Sequence, residues 1–241
     1  MRIAVLSDIH GNLEALEAVL AEVDRIGVDL LCSLGDIVGY GPSPAACVEI
    51  VRRRAAVSLT GNHDAAVAGL TALDEFNEFA RSALEWTAAR LDPGQIEYLG
   101  LLPYTHRAPE LMFVHASPVE PELWHYIHGR TDIEEHFAAF TERLCFVGHS
   151  HRPGVYAIRS DRSVARCRGF EALRPELRYL VNAGSVGQPR DRDPRASYVL
   201  YDTTSDSVEV RRVAYPVEKT QERMRAAGLP AFLIDRLGAG V

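Results

Sequence analysis

Short apolar runs alternate with amphipathic stretches along the first quarter of the chain. The run RIAVLS at residues 2–7 is typical of a buried strand, and residues 13–26 carry apolar side chains at helical spacing. In order, the pattern predicts strands at 2–7, 29–33 and 56–59, with helices at 13–26 and from 43 or 44 to about 54. Such strand–helix alternation predicts an α/β fold.

The rest of the chain changes character twice. Residues from about 64 to 103 are helical by pattern, and closely spaced strands then indicate a second sheet of mixed or antiparallel type. These strands are predicted at 104–107, 111–114, 144–147, 154–159, 178–182, 196–201 and 207–213. A helical tail at about 216–241 is broken near Gly228–Pro230, and it fits either pairing of subunits or packing onto its own domain. Without a repeat or linker, residues 1–241 are predicted to be a single domain.

Composition narrows the classes of function. The 241 residues include 33 acidic and 26 basic side chains, a net charge of −7, so no global basic field draws the protein to nucleic acid. The cluster Arg190, Arg192 and Arg195 is either a local exception or solvated surface. Four dispersed cysteines without a C-x-x-C argue against a zinc ribbon or disulfide framework. No run is long enough for a membrane span, and we expect a cytoplasmic protein without a membrane partner.

Polar residues follow five of the predicted strands directly. Carboxyl ends of strands form the ligand-binding edge in layered α/β proteins, so these side chains converge if their strands share a sheet. Carboxylate and imidazole together suit Mn²⁺, Zn²⁺, Fe²⁺ or Ni²⁺, and one carboxylate can bridge two ions about 3.5–4 Å apart. The residues are Asp8 and His10, then Asp36, then Asn62, His63 and Asp64, then His115, and finally His149 and His151.

The same motifs resemble the signature of the calcineurin-like metallophosphoesterases. The resemblance spans residues 2 to about 202, and it is nearest to the small bacterial branch described as phosphodiesterases. The motifs Gly39-Tyr40-Gly41-Pro42 and Asn182-Ala183-Gly184-Ser185 support this branch, although Ala183 stands where family members usually carry proline. The fold that the resemblance implies is a four-layer αββα sandwich with two mixed β-sheets.

The resemblance also implies roles for individual residues. It assigns two divalent metal ions, Mn²⁺ first with Fe²⁺, Zn²⁺ or Ni²⁺ as alternatives, and a hydroxide bridging them as the nucleophile. His63 is the catalytic histidine that steadies charge or protonates the leaving oxygen, whereas Asp64 either orients His63 or caps the following helix. One metal is assigned to Asp8, His10, Asp36 and His151, and the other to Asp36, Asn62, His115 and His149.

The residues after Gly35-Asp36 narrow the choice of substrate. Phosphoprotein phosphatases of the superfamily carry an Asp-Arg there, whose arginine grips phosphate, but this chain reads Gly39-Tyr40. We therefore expect hydrolysis of a small phosphodiester, with a phosphomonoester as second choice. The alternatives are a nuclease acting on DNA or RNA, which is less favoured, and a non-catalytic metal-binding scaffold. The Trp124–His128 segment is either a packed loop or an overhang that shapes substrate choice.

Overall fold

The computed structural model describes residues 1–127, 130–159, 161–167 and 169–241. The strands are β1 (Arg2–Leu6), β2 (Leu30–Ser33), β3 (Val57–Ser58), β4 (Thr105–Ala108), β5 (Leu111–Val114), β6 (Leu144–Val147), β7 (Gly154–Ile158), β8 (Val164–Arg166), β9 (Phe170–Ala172), β10 (Arg178–Asn182), β11 (Ala196–Asp202) and β12 (Ser207–Val213). The helices are α1 (Leu13–Ile26), α2 (Pro44–Arg54), α3 (Asn62–Val67), α4 (Glu78–Ala88), α5 (Pro93–Gly100), α6 (Arg130–Ala138), α7 (Val217–Ala226) and α8 (Ala231–Ala239). None of the helices in these described residues is long and apolar enough to span a bilayer.

The strands form two six-stranded sheets. The first has the order β3-β2-β1-β11-β12-β9, and the second has the order β4-β5-β6-β10-β7-β8. The strands β1, β2 and β3 run parallel, as do β5, β6 and β10, while the remaining pairs are antiparallel. Both sheets are therefore mixed, as the resemblance implied.

Alternation along the strands explains the layers. In β1, Ile3 and Val5 point between the sheets, where they pack with residues such as Phe113 and Phe146 of the second sheet. Ala4 and its alternate neighbours face the other way, against the apolar stripes of α1 and α2. On the far side, the apolar face of α6 covers β5 and β6. Helices thus cover the outer face of each sheet, and the predicted four-layer αββα architecture is confirmed.

Two parts of the chain differ from the sequence pattern. The predicted helical segment from about 64 to 103 is divided into α3, a short 3₁₀ turn at Leu73–Glu75, α4 and α5. The short strands β8 and β9 were not predicted. Both are edge strands, one in each sheet, and their residues are mostly half-buried or exposed. An edge strand lacks the buried periodic face by which a sequence pattern identifies strands.

The C-terminal tail packs onto its own chain. Its two helices α7 and α8 contact each other, and the predicted break falls between them at residues 227–230. Apolar residues of both helices form a cluster with Tyr40 and α4, and the Trp86 indole donates to the Ala227 carbonyl at 2.9 Å. The alternative of subunit pairing is therefore not needed to bury this face. That residues 1–241 form one cooperative domain stays a prediction.

Asn12 ties the first βα loop to the tail, and we predict that its loss is unusually costly. Its Oδ1 caps α1 through Ala15 N and accepts from Thr220, while its Nδ2 donates to the Gly187 carbonyl and to Tyr215. Asn12→Ala should lower the free energy of unfolding by about 2–4 kcal/mol, measured by urea denaturation. The matched control is Asn77→Ala, which removes only a helix cap and should cost about 1 kcal/mol. Equal losses in the two variants would contradict the tertiary role.

Candidate metal centre

The five polar strand ends meet at the rim shared by the two sheets. Three of them follow β1, β2 and β3 of the first sheet, and two follow β5 and β6 of the second. The convergence was predicted on the condition that all five strands share one sheet, and that condition is wrong. The side chains still converge because the two sheets stack with these parallel strand ends at the same edge.

Hydrogen bonds between loops fix this convergence. The backbone N–H of His149, on the second sheet, donates to Asp8 Oδ2 on the first sheet at 3.0 Å. Ser185, in the loop after β10, donates its hydroxyl to the Asp8 carbonyl at 2.8 Å, and Asp8 N donates to the Gly35 carbonyl at 3.1 Å. The loops of both sheets are thus held as one unit around Asp8.

Two clusters of buried side chains share one carboxylate. Within each cluster the candidate ligand atoms lie within 4.8 Å of one another. His10 Nε2 is 3.1 Å from His151 Nε2, His151 Nε2 is 3.2 Å from Asp8 Oδ1, and His115 Nε2 is 3.4 Å from Asp36 Oδ2. The first cluster contains Asp8, His10, Asp36 and His151, and the second contains Asp36, His115 and His149.

Backbone carbonyls set which ring nitrogen faces each cluster. The Nδ1 atoms of His10, His115 and His151 lie 3.0, 3.1 and 2.6 Å from the carbonyl oxygens of residues 38, 34 and 188. A carbonyl can only accept, so each neutral ring carries its proton on Nδ1 and turns an unprotonated Nε2 inward. Metal-binding histidines are oriented in this way by their outer partners.

The clusters fit divalent cations. Two Nε2 lone pairs, those of His10 and His151, point at each other across 3.1 Å, an arrangement that a cation between them relieves. Buried atoms without a hydrogen-bond partner among the described residues include Asp8 Oδ1, Asn62 Oδ1 and the Nε2 atoms of His115 and His149. Buried polar groups are normally paired, so these unpaired oxygen and nitrogen atoms fit a site that could hold a metal ion. The nitrogen and oxygen set suits Mn²⁺, Fe²⁺, Zn²⁺ or Ni²⁺.

Strained backbone and close packing hold the ligands in place. Five of the seven predicted ligands have left-handed backbone, with φ between 49° and 61°, a conformation that costs a non-glycine residue about 1 kcal/mol or more. Gly61 lies so close to Asp36 that a Cβ there would come within 2.1 Å of Asp36 Oδ1. A Cβ at Gly148 would come within 1.9 Å of Ser7 Oγ and 2.7 Å of Asp8 Oδ2. Glycine before these motifs is therefore required by contact as well as by the turn.

Burial and neighbouring charge shift the pKa values of Asp36 and His115 in opposite directions. Burial alone would raise the pKa of Asp36, but the imidazoles around it, His115 foremost, hold that pKa well below its ordinary value. Burial opposes a charge on His115, yet the Asp36 carboxylate raises the His115 pKa to about 9. Burial, and then the charge on His115, lowers the pKa of His149 to about 3. His115 would have to lose this proton in order to coordinate a divalent cation.

His63 and Asp64 have different surroundings. The His63 ring is 3% exposed, and its Nδ1, packed against Gly39, has no hydrogen-bond partner among the described residues. Asp64 does not orient this ring. Its carboxylate accepts from the backbone N–H groups of Gly61, Ile37 and Val38 at 3.1–3.2 Å, which caps α3 and ties it to the Asp36 loop. Of the two roles left open for Asp64, the geometry favours capping.

Aromatic rings surround the cluster, and of these the sequence pattern assigned Phe76 only to a buried helix face. The Tyr40 ring lies 4.6 Å from that of His10 and 4.5 Å from that of His63, and Phe76 meets His63 edge-on at 5.2 Å. Tyr126 lies 4.0 Å from the ring of His149. With Trp124, these rings line a cavity of about 210 Å³ that also exposes Asn62, His63 and His149. Tyr40 was named from its motif after Asp36, but its contact with both histidine rings, made from a left-handed backbone position (φ 56°), is not marked by any apolar pattern.

The Trp124–His128 segment borders this cavity. Trp124 meets the ring of His115 at 5.9 Å, and Tyr126 covers His149, so the overhang is the better of the two interpretations. His125 instead faces Glu120 at 3.4 Å on the surface. His128 lies outside the described residues.

The predicted arginine cluster does not form one patch. Arg195 pairs with Asp193 at 2.6 Å and is half-exposed, and Arg192 is exposed. Arg190 turns toward the centre, with its guanidinium 5.8 Å from the Tyr40 ring and bonded to Gln188 Oε1 at 2.8 Å. One arginine of the three is therefore beside the candidate site.

Comparison with known proteins gives the family and the fold. The sequence matches the profile of the calcineurin-like phosphoesterase superfamily domain over residues 1–206. The uncharacterized protein MJ0912 of Methanocaldococcus jannaschii is 38% identical over 242 residues, covering 99% of this chain and 98% of that protein. The crystal structure of a metallophosphoesterase from Sphaerobacter thermophilus is similar to this chain, with 46% sequence identity and a TM-score of 0.87. The alignment covers 100% of this chain and 99% of that one. The hypothetical protein PH1004 from Pyrococcus horikoshii shares the fold with a TM-score of 0.80 at 22% identity, over 100% of this chain and 98% of that one.

Closing the gap at Gly61 should empty the clusters. Gly61→Ala places a methyl group against Asp36, so we expect bound Mn²⁺, measured by elemental analysis after dialysis, to fall at least tenfold. The rise in melting temperature that Mn²⁺ gives the unaltered protein should also disappear. Overpacking should itself cost about 1–3 kcal/mol. The control is Gly238→Ala, whose Cβ meets nothing closer than 3.6 Å and should keep the metal. Full metal content in Gly61→Ala would show that Asp36 is not a ligand.

The metal-free protein should lose stability in acid through its neutral buried histidines. Burial lowers the pKa of His63 from 6.5 to about 4, so its contribution to stability is complete above pH 6.5 and is lost as the pH falls toward 4. With EDTA present, His63→Asn should therefore reduce the loss of unfolding free energy between pH 6.5 and 4 by about 2–3 kcal/mol. Denaturant titrations across that range measure this loss. His106→Asn, outside both clusters, should leave it unchanged, and an identical pH profile in all three proteins would refute the assignment.

Proposed function

We propose that this chain, which belongs to the calcineurin-like phosphoesterase superfamily and is a hydrolase of that metal-dependent kind, cleaves small phosphodiesters at a binuclear metal site. The observation that carries the proposal is the sharing of Asp36 between two clusters of orphaned lone pairs, directly beside the buried His63. Two cations held by one carboxylate is the arrangement used for in-line displacement at phosphorus.

Each predicted ligand has a place in this proposal. Asp8, His10, Asp36 and His151 would hold one cation, and Asp36, His115 and His149, together with the unpaired Asn62 Oδ1, would hold the other, with Mn²⁺ the first choice and Fe²⁺, Zn²⁺ or Ni²⁺ the alternatives. Bound cations supply Lewis acidity, which makes water more acidic and neutralises negative charge on the phosphate. The protein holds the ligands rigidly, and the aromatic side chains of Tyr40, Trp124 and Tyr126 limit the access of bulk water. It also supplies a hydrogen-bond donor near the scissile bond.

His63 is proposed as the group that acts on the leaving oxygen. Hydrolysis adds water across one P–O bond and releases an alcohol and a monoester, so the departing alkoxide must gain a proton. Burial lowers the pKa of His63 to about 4, and the ring is therefore neutral at pH 7. A neutral imidazole serves as a hydrogen-bond donor to the developing negative charge more readily than as a strong acid. Asp64 supports it by capping α3, on which His63 lies.

The preference for diesters rests on position 40. A dianionic monoester needs more positive charge than a monoanionic diester, and an arginine at this position would supply it as a bidentate donor. Tyr40 stands there, buried, and its phenol is neutral at pH 7, since burial raises a pKa that is already well above 7. The lining of the cavity over the clusters contains no arginine among its described residues.

The other two functions are weaker. A nuclease was supported by the arginine cluster, yet Arg195 is neutralised by Asp193 and the net charge is −7. A non-catalytic scaffold is disfavoured because His63 and every predicted ligand are retained around the clusters.

The proposal is tested by turnover with Mn²⁺. We expect bis(p-nitrophenyl) phosphate to be hydrolysed with a higher kcat/KM than p-nitrophenyl phosphate. His63→Ala should lower kcat for a diester with an alkyl leaving group, such as the dinucleotide ApA, by about 10²- to 10³-fold, the usual effect of removing a hydrogen-bond donor to developing negative charge. The loss should be smaller for p-nitrophenyl leaving groups, which need little help from a proton. Metal content should stay at the wild-type value.

The control variant and the contrary outcomes are specific. His106→Ala should match the wild type in every assay. A strong preference for the monoester would reverse the proposed substrate class. Negligible and equal turnover in wild type and His63→Ala would favour the scaffold, and salt-sensitive binding of single-stranded DNA that requires Arg195 would favour the nuclease.

A further inference from the structure

A second cavity, of about 270 Å³, lies beside the metal clusters. The loop Gly148–His151 separates the two spaces. His149 and His151 face the clusters, whereas Ser150 between them lines the second cavity. Tyr126 borders both spaces, since it covers His149 on one side and lines the cavity on the other. The two spaces therefore share Tyr126 as a common wall, which places the second cavity next to the space over the clusters.

The cavity is built on the same framework as the ligands. The Nδ1 atom of His151 lies 2.6 Å from the Gln188 carbonyl oxygen. The carbonyl of His151 accepts a hydrogen bond from the backbone N–H of Arg190 at 3.1 Å. The side-chain oxygen of Gln188 then holds the Arg190 guanidinium at 2.8 Å. Arg152 donates from Nε to the Arg190 carbonyl at 3.0 Å. The segment that contains Gln188 and Arg190 therefore orients the predicted ligand His151 and also fixes Arg190 and Arg152.

Charge in the cavity contrasts with the rest of the molecule. In a chain of net charge −7, the cavity is lined by Arg152 and Arg190, and none of its described lining residues is acidic. Neither guanidinium forms an ion pair with a carboxylate of the described residues, although Arg195 and Arg212 nearby are both paired with aspartates. Guanidinium groups without an acidic partner are available for an anion from outside the protein.

Ser150 completes a donor set for phosphate. Its hydroxyl oxygen accepts from Asn182 Nδ2 at 3.0 Å and from Arg152 N at 3.4 Å, so its own proton remains to be donated. Two planar guanidiniums and a hydroxyl match the three oxygens of a terminal phosphate group. An uncharged sugar or an aryl group would leave the two positive charges unused.

We propose that this cavity binds a second phosphate group of the substrate, next to the scissile phosphate held at the clusters, through Arg152, Arg190 and Ser150. The inference rests on the proposed function and deepens it. The preferred substrate class is a small phosphodiester that carries a further terminal phosphate, such as a 5′-phosphorylated dinucleotide.

The test compares the diadenosine dinucleotide ApA with its 5′-phosphorylated form pApA. The two share the scissile diester and differ by one terminal phosphate. With Mn²⁺, the wild type should cleave pApA with a kcat/KM about 10- to 100-fold higher than ApA, the effect of charge-assisted hydrogen bonds on binding. Arg152→Gln should reduce this ratio at least fivefold, and Arg152→Gln/Arg190→Gln should bring it close to one. Arg152 is exposed, so the single variant should fold normally. Arg54→Gln, on α2 and paired with Asp24, is the matched control and should keep the wild-type ratio.

The two proposals fail in different ways. No turnover of bis(p-nitrophenyl) phosphate, ApA or pApA would refute the proposed function. Turnover of all three with a ratio near one, or a ratio that survives both arginine substitutions, would refute only the second phosphate site. A decanucleotide cleaved faster per bond than pApA would also overturn it, in favour of an extended nucleic-acid surface.

A binding measurement without metal checks the cavity independently of activity. In EDTA the clusters have no cation to attract an anion, so calorimetric titration with inorganic phosphate reports the arginines. We expect the double variant to bind phosphate at least tenfold more weakly than the wild type. Equal affinity in both proteins, or no detectable binding to the wild type, would overturn the proposal.

Discussion

The site depends on how the buried charge of the Asp36 carboxylate, which faces side chains from both sheets, is neutralised. Asp36 Oδ2 lies 3.6 Å from His10 Nε2, also on a loop of the first sheet, and 3.4 Å from His115 Nε2 on the second. The residue is 1% exposed, and a buried carboxylate is costly unless it is neutralised. Without metal, a proton on His115 supplies that charge, which is why its pKa rises to about 9. Cations and protons therefore compete for the same carboxylate, and metal affinity must depend on pH.

Holding such a carboxylate requires rigid loops, and the sheets provide them. Left-handed backbone at Asp8, His10 and Asp36 is unfavourable locally and persists only where the surroundings determine it. The strands that end at these residues have fully buried interiors, packed between the sheets and against α1 and α2. Their loops are then bonded to each other, for example His10 N to the Asp36 carbonyl at 2.9 Å. Burial of apolar surface in the sheets thus stabilises a strained set of ligands before any metal binds.

Sequence reasoning reached the ligands because strand ends are local features. Each ligand follows an apolar run directly, so the α/β pattern located it without knowledge of which sheet the strand joins. Edge strands such as β8 escaped because their exposure removes the pattern. Arg190 and Tyr40 were both named from the sequence, but the contact between them was not predicted. They are distant in the sequence and meet only because the loop after β10, which carries Arg190, lies against the loop after β2, which carries Tyr40, a tertiary event with no local signal. Asp64 was identified, but its partners are backbone groups that a sequence cannot specify.

The exchange of arginine for tyrosine at position 40 links these observations to substrate choice. An arginine there would reach into the space over the clusters and grip the scissile phosphate. Tyr40 instead fills that space with an uncharged ring against His10 and His63 and leaves Arg190 alongside, where it lines the neighbouring cavity. Under the two proposals, positive charge is divided between two places, with metal ions for the phosphate that reacts and guanidiniums for a group next to it. If both proposals hold, such a division raises the affinity for extended substrates without adding charge at the scissile phosphate. A site of this kind discriminates by what lies beyond the bond it breaks, because the reacting phosphate itself is the same in every diester.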